Sequence, residues 1–370
     1  MQYTIFHTVS NTQWGGQERR VFNECRWMAR RGHRIAIATP AGTPLYQRAQ
    51  VQGWKVFDMS FRRRSAFRDY GRLRKIFRTI QPQVFNTHGN MDAKVGMPAA
   101  QRAEIPCIIL SRHITPPVKN TVFNRFLYHT PHYIFTTAHC ASRQIVGDLG
   151  VAPERVLTVS SGIIPPHDLP PREEARLWLT RELEMPSSTR FIGFVGRLDL
   201  AKGISDIVQA FGEIAPRYPD HCLVLVGESD DTRQLRARID EMGLAHRICL
   251  PGYTDDPWKY YAAFDCKVLA SQENEGIAQS LLEAMYARCP VIGTRVGGIP
   301  DVIRHGETGL LVPPKSPDFL AQAMDNLLQN RVETEGRRER AYEMIYQNHT
   351  LEAMGRRIES LVTPVLKQSI

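Results

Sequence analysis

Short apolar, β-branched runs recur along this chain, and between them apolar residues return every three or four positions. In the first half the runs are 3–9, 34–39, 84–88, 107–113, 133–137 and 156–162, separated by helical patterns near 17–31, 66–80, 92–103, 120–130 and 141–149. Nearly continuous apolar strands alternating with helices predict a parallel sheet covered on both faces. The stretch "IIPPHDLPP" (163–171) then breaks the pattern, because proline restrains itself and the residue before it to extended backbone. The alternation restarts with strands at 190–198, 222–228, 247–253, 266–271 and 291–296, and helices at 204–217, 232–241 and 278–288. The expected architecture is α/β: two doubly wound, Rossmann-like parallel-sheet domains facing across a cleft. The first spans 1–165 and the second 166–350, with a C-terminal helix at 351–370 packing back on the first. Ligands in such sheets sit beyond the carboxyl ends of the strands, so the loops there hold the candidate chemistry.

Composition narrows the class. At 370 residues, with 42% hydrophobic and 23% charged residues, the chain has the content of folded domains with their own cores. No apolar run reaches the ~18–20 residues of a membrane helix, and the start lacks the basic and apolar regions of a secretory signal. Seven scattered cysteines without a CxxC pair predict reduced thiols and a cytoplasmic location, not a disulfide framework or zinc site. The net charge of +9 is concentrated. Between Phe61 and Arg78 stand eight Lys/Arg and one acid, Asp69. Phe67, Tyr70, Leu73, Phe77 and Ile80 recur there at helical spacing, which predicts an apolar stripe on a basic amphipathic helix. Packing on its own domain accounts for the stripe. Arg62, Arg63, Arg64, Arg68 and Arg72 fit a surface that meets anionic headgroups or a phosphorylated acceptor. No nucleic-acid-binding motif accompanies them.

Three strand-end loops carry the remaining signal. "WGGQERR" (14–20) places Gly15 and Gly16 before a helix, where backbone amides can approach an anion or simply make a turn. A GxGxxG dinucleotide fingerprint is missing, which disfavours a nicotinamide-dependent dehydrogenase. "FVGRLDLAKG" (194–203) puts Arg197 and Lys202 in one loop, able to clamp a diphosphate or to remain solvated. "SQENEGIAQSLLEAM" (271–285) places Glu275 in a loop and Glu283 more than one turn into a helix, with the helix start between them. Two carboxylates around an anion-attracting helix start suit the hydroxyls and phosphates of a nucleotide sugar.

These segments, with "RGH" (31–33), "PGYTDD" (251–256) and "PVIGTRVGGIPDVIRHGETGLLVPP" (290–314), resemble the retaining GT-B glycosyltransferases of family 4 over essentially the whole chain. That resemblance implies Glu275 on the donor sugar's hydroxyls and Glu283 on the ribose. It implies Arg197 and Lys202 on the diphosphate, backbone of Gly276, Ile277 and Ala278 completing the anion site, and Gly15 and Gly16 closing on the phosphates. His113 in "LSRHITPP" is the candidate near the reacting carbon, with His88 in "NTHGN" the rival; Gly252 and Tyr253 border the base. The implied reaction retains anomeric configuration. The chain has no DxD triplet, only the doublets Asp230-Asp231 and Asp255-Asp256, so no catalytic metal and no cofactor are expected. The expected partners are a UDP-sugar or other nucleotide-sugar donor, a lipid-linked or lipopolysaccharide acceptor and an anionic membrane face, with no nucleic acid. A soluble small-molecule acceptor and a non-catalytic sugar-nucleotide-binding protein are the alternatives.

Overall fold

The structure, a computed structural model, describes residues 2–114, 116–228, 232–273 and 275–368. The chain divides into two compact units: residues up to Gly162 together with those from Leu351 onward, and Ile163–Thr350.

The first unit alternates β1 (Thr4–Thr8), α1 (Gly16–Arg30), β2 (Arg34–Thr39), α2 (Pro44–Val51), β3 (Lys55–Asp58), α3 (Ala66–Ile80), β4 (Val84–Thr87), α4 (Asn90–Arg102), β5 (Cys107–Arg112), α5 (Val122–His129), β6 (Tyr133–Thr136), α6 (His139–Leu149) and β7 (Val156–Thr158). Its strands form one parallel sheet in the order β3-β2-β1-β4-β5-β6-β7. Side chains alternate across a strand, so each sheet face has its own core. Phe6, Phe85, Ile108 and Leu110 join Leu73 and Phe77 of α3 on one face. Ile5, Val84, Cys107 and Ile109 join Val21, Cys25 and Met28 of α1 on the other.

The second unit runs α7 (Arg172–Glu182), β8 (Arg190–Val195), α8 (Ile204–Ile214), β9 (His221–Val226), α9 (Thr232–Glu241), β10 (Ile248–Gly252), α10 (Trp258–Ala263), β11 (Cys266–Leu269), α11 (Gln279–Tyr286), β12 (Val291–Thr294), β13 (Leu310–Val312), α12 (Pro317–Gln329) and α13 (Arg331–Asn348). Its sheet is again all parallel, ordered β10-β9-β8-β11-β12-β13. The final helix, α14 (Leu351–Gln368), belongs to the first unit. It buries Met354, Ile358, Val362 and Leu366 in the α1-side core. Glu352 accepts a hydrogen bond from Trp27 Nε1 at 2.6 Å. A Cβ at Gly355 would lie 2.2 Å from the Trp27 ring, so only glycine permits this approach.

Two expectations need correction. The stripe on α3 is shorter than its periodicity suggests, because Phe67 is 96% exposed. The inward position of that first turn is taken by Asp69, which accepts from Ser65 Oγ at 2.7 Å and Phe61 N at 3.1 Å. Strands β3 and β13, absent from the expected set, extend the two sheets at their edges. The cysteines form no disulfide among the described residues. Among the described residues no helix is long and apolar enough to cross a membrane.

Candidate functional site

Three loops at the carboxyl ends of strands in the second unit are clipped together through their backbones. The loop after β8 closes with Asp199 accepting from Lys202 N at 3.0 Å. Gly203 follows with φ of 67°, and a Cβ there would meet Ala270 O at 2.1 Å. Gln272 secures the same junction, donating from its backbone to Ala201 O at 2.9 Å and from its amide to Asp206 at 3.1 Å. On the far side, Gly297 has φ of 55° and its Cβ would lie 1.8 Å from Glu275 O. Gly298 N donates to that carbonyl at 3.0 Å. Left-handed backbone and the lack of a side chain make this packing possible.

Inside this frame Lys202 Nζ lies 2.5 Å from Glu275 Oε2, and Ser271 Oγ donates to the same oxygen at 2.5 Å. Glu275 is buried. Next comes α11, whose N-cap Ala278 offers no side-chain cap and whose first turn holds no acid. The positive end of the helix dipole there lacks a built-in anion. Glu283, one turn in, is half-buried and accepts from the buried Tyr261 hydroxyl at 3.1 Å. Burial first, then the Glu283 charge, hold the Tyr261 phenol well above its usual range, so it stays a donor.

Arg197 is less engaged than its sequence position suggests: its side chain is 79% exposed and pairs with Asp199 at 3.2 Å. Both candidate cations therefore already have acidic partners, and a diphosphate would have to compete with Asp199 and Glu275 for them. Gly252 ends β10 with φ of 89°, and its carbonyl accepts from Gly227 N at 2.9 Å. Tyr253 beside it is exposed, with its hydroxyl on Asp255 at 2.7 Å. Gly276, Ile277 and Ala278 are half-buried between Glu275 and α11. Asp230 and Asp231 lie outside the described residues.

One residue here escaped the sequence reading. Lys267 on β11 is fully buried, and its Nζ has no hydrogen-bond partner among the described residues. Burial pulls its ammonium down to about 8, against the fields of Cys289, Glu275 and Glu283, which favour the charge.

In the first unit, Gly15 caps α1, but its N–H is already taken by Glu18 Oε2 at 2.9 Å. The helix's own capping box, not a free amide, fills that position, leaving Gly16 as the more open of the pair. His33 of "RGH" stacks on Tyr3 at 4.1 Å, a structural contact. The rival histidines His113 and His88 prove to be neighbours: His88 Nδ1 lies 3.0 Å from His113 Nε2, and His88 Nε2 lies 2.9 Å from Nδ1 of His7. Burial drives His7 down to about 3 and holds His88 and His113 well below the ordinary range, so all three imidazoles are neutral. His113 and His88 line a cavity of about 460 Å³ with Arg112, Lys94 and Tyr128. Arg62, Arg63, Arg64, Arg68 and Arg72 are all exposed around the outward-facing Phe67.

Two Rossmann-like parallel-sheet domains with polar and charged groups gathered at their strand ends define the GT-B class. Residues 14–165 match the Glycosyltransferase Family 4 model, and residues 179–347 match Glycosyl transferases group 1. These matches support a GT-B glycosyltransferase of group 1. N-acetyl-alpha-D-glucosaminyl L-malate synthase of Bacillus anthracis is 31% identical over 189 residues, covering 51% of this chain and 49% of that protein. The chain thus spans about half the length of the curated relatives it matches. A glycosyltransferase from Rickettsia africae ESF-5 superposes with a TM-score of 0.89 at 19% identity, covering 99% of both chains. HepE of Anabaena, in complex with UDP, gives 0.80 at 16% identity, covering 98% of this chain and all of that one. At such identities the two structures speak to the fold.

Proposed function

We propose that this protein transfers a sugar from a nucleotide sugar, a UDP-sugar in the first instance, to an acceptor hydroxyl with retention of anomeric configuration. The observation that carries the reading is the cluster of Lys202, Glu275 and Ser271 beside the uncapped start of α11, with Glu283 one turn further on. A diphosphate entering there takes Lys202 and the helix amides, and Arg197 swings from solvent to join them. Displaced from Lys202, the Glu275 carboxylate is released to accept from sugar hydroxyls, while Glu283 takes the ribose. Charge developing on the leaving diphosphate then meets preorganised donors in a partly dry site, the term that contributes most to such transfers. Lys202, Arg197 and the helix start supply the positive charge that a divalent metal brings elsewhere, so the reaction proposed is metal-independent. The second unit takes the donor and the first the acceptor. The UDP complex of HepE supports the choice of nucleotide.

For the acceptor, the exposed arginines and Phe67 favour a lipid-linked or lipopolysaccharide glycan at an anionic membrane face. A soluble small-molecule acceptor is the second reading, favoured by the name of the malate synthase relative. A thermal-shift panel of UDP-, GDP- and ADP-sugars tests the donor, because a ligand of the folded state raises its stability. Slow hydrolysis of the stabilising sugar nucleotide, lost in Glu275→Ala, is the expected companion result. No shift with any of them overturns the proposal.

A further inference from the structure

Three strands and one helix of the first unit bring four titratable groups into line. His7 on β1 is in register with Asn86 on β4. His88 lies two residues beyond Asn86, and His113 follows the end of β5, so alternation puts all three rings on the face covered by α1. From α1, Glu24 reaches the same place: Asn86 Nδ2 donates to its Oε1 at 3.2 Å, and Ser111 Oγ steadies Asn86 at 2.9 Å. One ring nitrogen of His7, one of His88 and a Glu24 oxygen all lie within 4.8 Å of one another.

Both ends of this line are unsatisfied. His113 Nδ1 at one end, and His7 Nε2 and Glu24 Oε2 at the other, are shielded from water and have no hydrogen-bond partner among the described residues. A buried polar atom left without a partner is costly, so three in one row call for a reason. We propose that Glu24, His7, His88 and His113 form a proton relay that takes a proton at His113 Nδ1 from a ligand hydroxyl and delivers it to the Glu24 carboxylate.

The steps balance. At rest each ring carries its proton on Nε2, so that His113 donates to His88 Nδ1 and His88 donates to His7 Nδ1. His7 Nε2–H and Glu24 Oε2 share no hydrogen bond in the structure, so the last transfer requires the Glu24 carboxylate to move towards His7. When His113 Nδ1 gains a proton, each Nε2 proton moves one group along. The imidazoles end neutral with protons on Nδ1, and Glu24 ends as the acid. No ring has to keep a positive charge, which burial and the Arg20 guanidinium beside them forbid. Glu24 can hold the proton because burial raises its pKa, although Arg20 and the Asn86 hydrogen bond oppose this. On α4, Asp92 is already occupied by the Thr8 and Thr87 hydroxyls and the His88 amide, and does not compete. A metal ion on His7, Glu24 and His88 is the competing use of the same groups. It would have to break the 2.9 Å hydrogen bond and sit near the positive Arg20.

The catalytic use of the relay rests on the transferase reading. The acceptor O–H breaks, its proton passes to His113, its oxygen bonds the anomeric carbon, and the diphosphate leaves with the electron pair of the broken C–O bond. Nitrogen-15 NMR of histidine-labelled protein tests the relay without any activity. The expected spectrum has three neutral Nε2–H imidazoles while Glu24 is ionised and neutral Nδ1–H imidazoles once Glu24 is protonated, with no imidazolium from pH 8 to pH 5.5. Infrared difference spectra on acidification should show a protonated carboxyl band that is lost in Glu24→Gln. An imidazolium at any of the three rings in that range, Nδ1–H tautomers with Glu24 ionised, or a stoichiometric bound metal overturns it. In turnover, Glu24→Gln and His88→Gln should each lower kcat on the order of 10²-fold with donor KM unchanged. Unchanged kcat in both variants overturns the catalytic use. If the wild type transfers no sugar, the functional proposal fails and the spectra still decide the relay.

Discussion

Lys202 and Glu275 meet at 2.5 Å although 73 residues separate them in the chain. Their meeting depends on Gly203 and Gly297, which let one loop rest on Ala270 O and another on Glu275 O. In the proposed reaction this ion pair is the closed form of the donor site, and a diphosphate opens it.

The two glutamates should therefore fail differently. Glu275→Gln is expected to lower turnover on the order of 10²-fold with donor binding nearly kept, because it loses contacts strengthened in the transition state. Glu283→Ala should weaken nucleotide binding about 10- to 100-fold, a hydrogen bond to a charged group being worth ~1.5–3 kcal/mol. Calorimetric binding and initial rates on both variants separate the two effects. Identical losses in both would contradict the assignment.

Lys267 offers a test by pH. Its folded pKa, about 8, lies below a lysine's ordinary 10.5, so the unfolded chain binds the extra proton between those values. The penalty is full below pH 8 and fades as pH rises through the window. Lys267→Met, close in volume, should stabilise the protein on the order of 3 kcal/mol at pH 7, with the gain vanishing towards pH 10.5. The same variant should bind nucleotide more weakly, since Lys267 offsets the charge of Glu275 and Glu283. Denaturant melts at pH 7 and pH 10 show whether the gain depends on pH.

Acid should unfold the first unit early. His7 is held near 3 in the fold and returns to 6.5 when unfolded, so its contribution is intact above pH 6.5 and lost as pH falls towards 3. His88 and His113 shift in the same direction. Each such group adds ~1.4 kcal/mol per pH unit inside its window. His7→Gln should flatten the fall in stability between pH 6 and pH 4, read by urea unfolding. An unchanged slope would mean that the buried rings accept protons after all.

The exposed arginines make a membrane prediction. The protein should sediment with anionic liposomes and not with neutral ones, and a variant with Arg62, Arg63, Arg64 and Arg68 changed to Ser should lose most of that binding. Phe67→Ser should weaken it further, its ring being already in solvent. Equal sedimentation of all three proteins would remove the membrane from the proposal and leave the soluble acceptor.

Much of the fold was legible because its strands are buried on both faces. The runs at 34–39 and 66–80 coincide with β2 and α3 to the residue. Edge strands β3 and β13 escaped because they have only 4 and 3 residues, and the side chains of β3 are partly exposed. The loops holding Glu275, Lys202 and Glu283 were visible from strand-to-helix boundaries. The pairing of Lys202 with Glu275 was not, since it is set by backbone contacts between distant glycines and carbonyls. His7 hid for a different reason. In "TIFHT" it reads as one polar residue in a strand, and only the register of β1 with β4 sets it against His88. Lys267 likewise looks like a surface lysine until β8 and β12 enclose it on either side.

The place of α14 has a consequence for how the molecule is made. The α1-side core of the first unit holds Trp27 and Met28 from the beginning of the chain and Met354, Ile358 and Val362 from residues made much later. On the ribosome the second unit has its whole sequence available before the first does. The unit translated first is thus completed last, and until α14 docks, the part of the α1-side core that it covers waits with its apolar side chains in water.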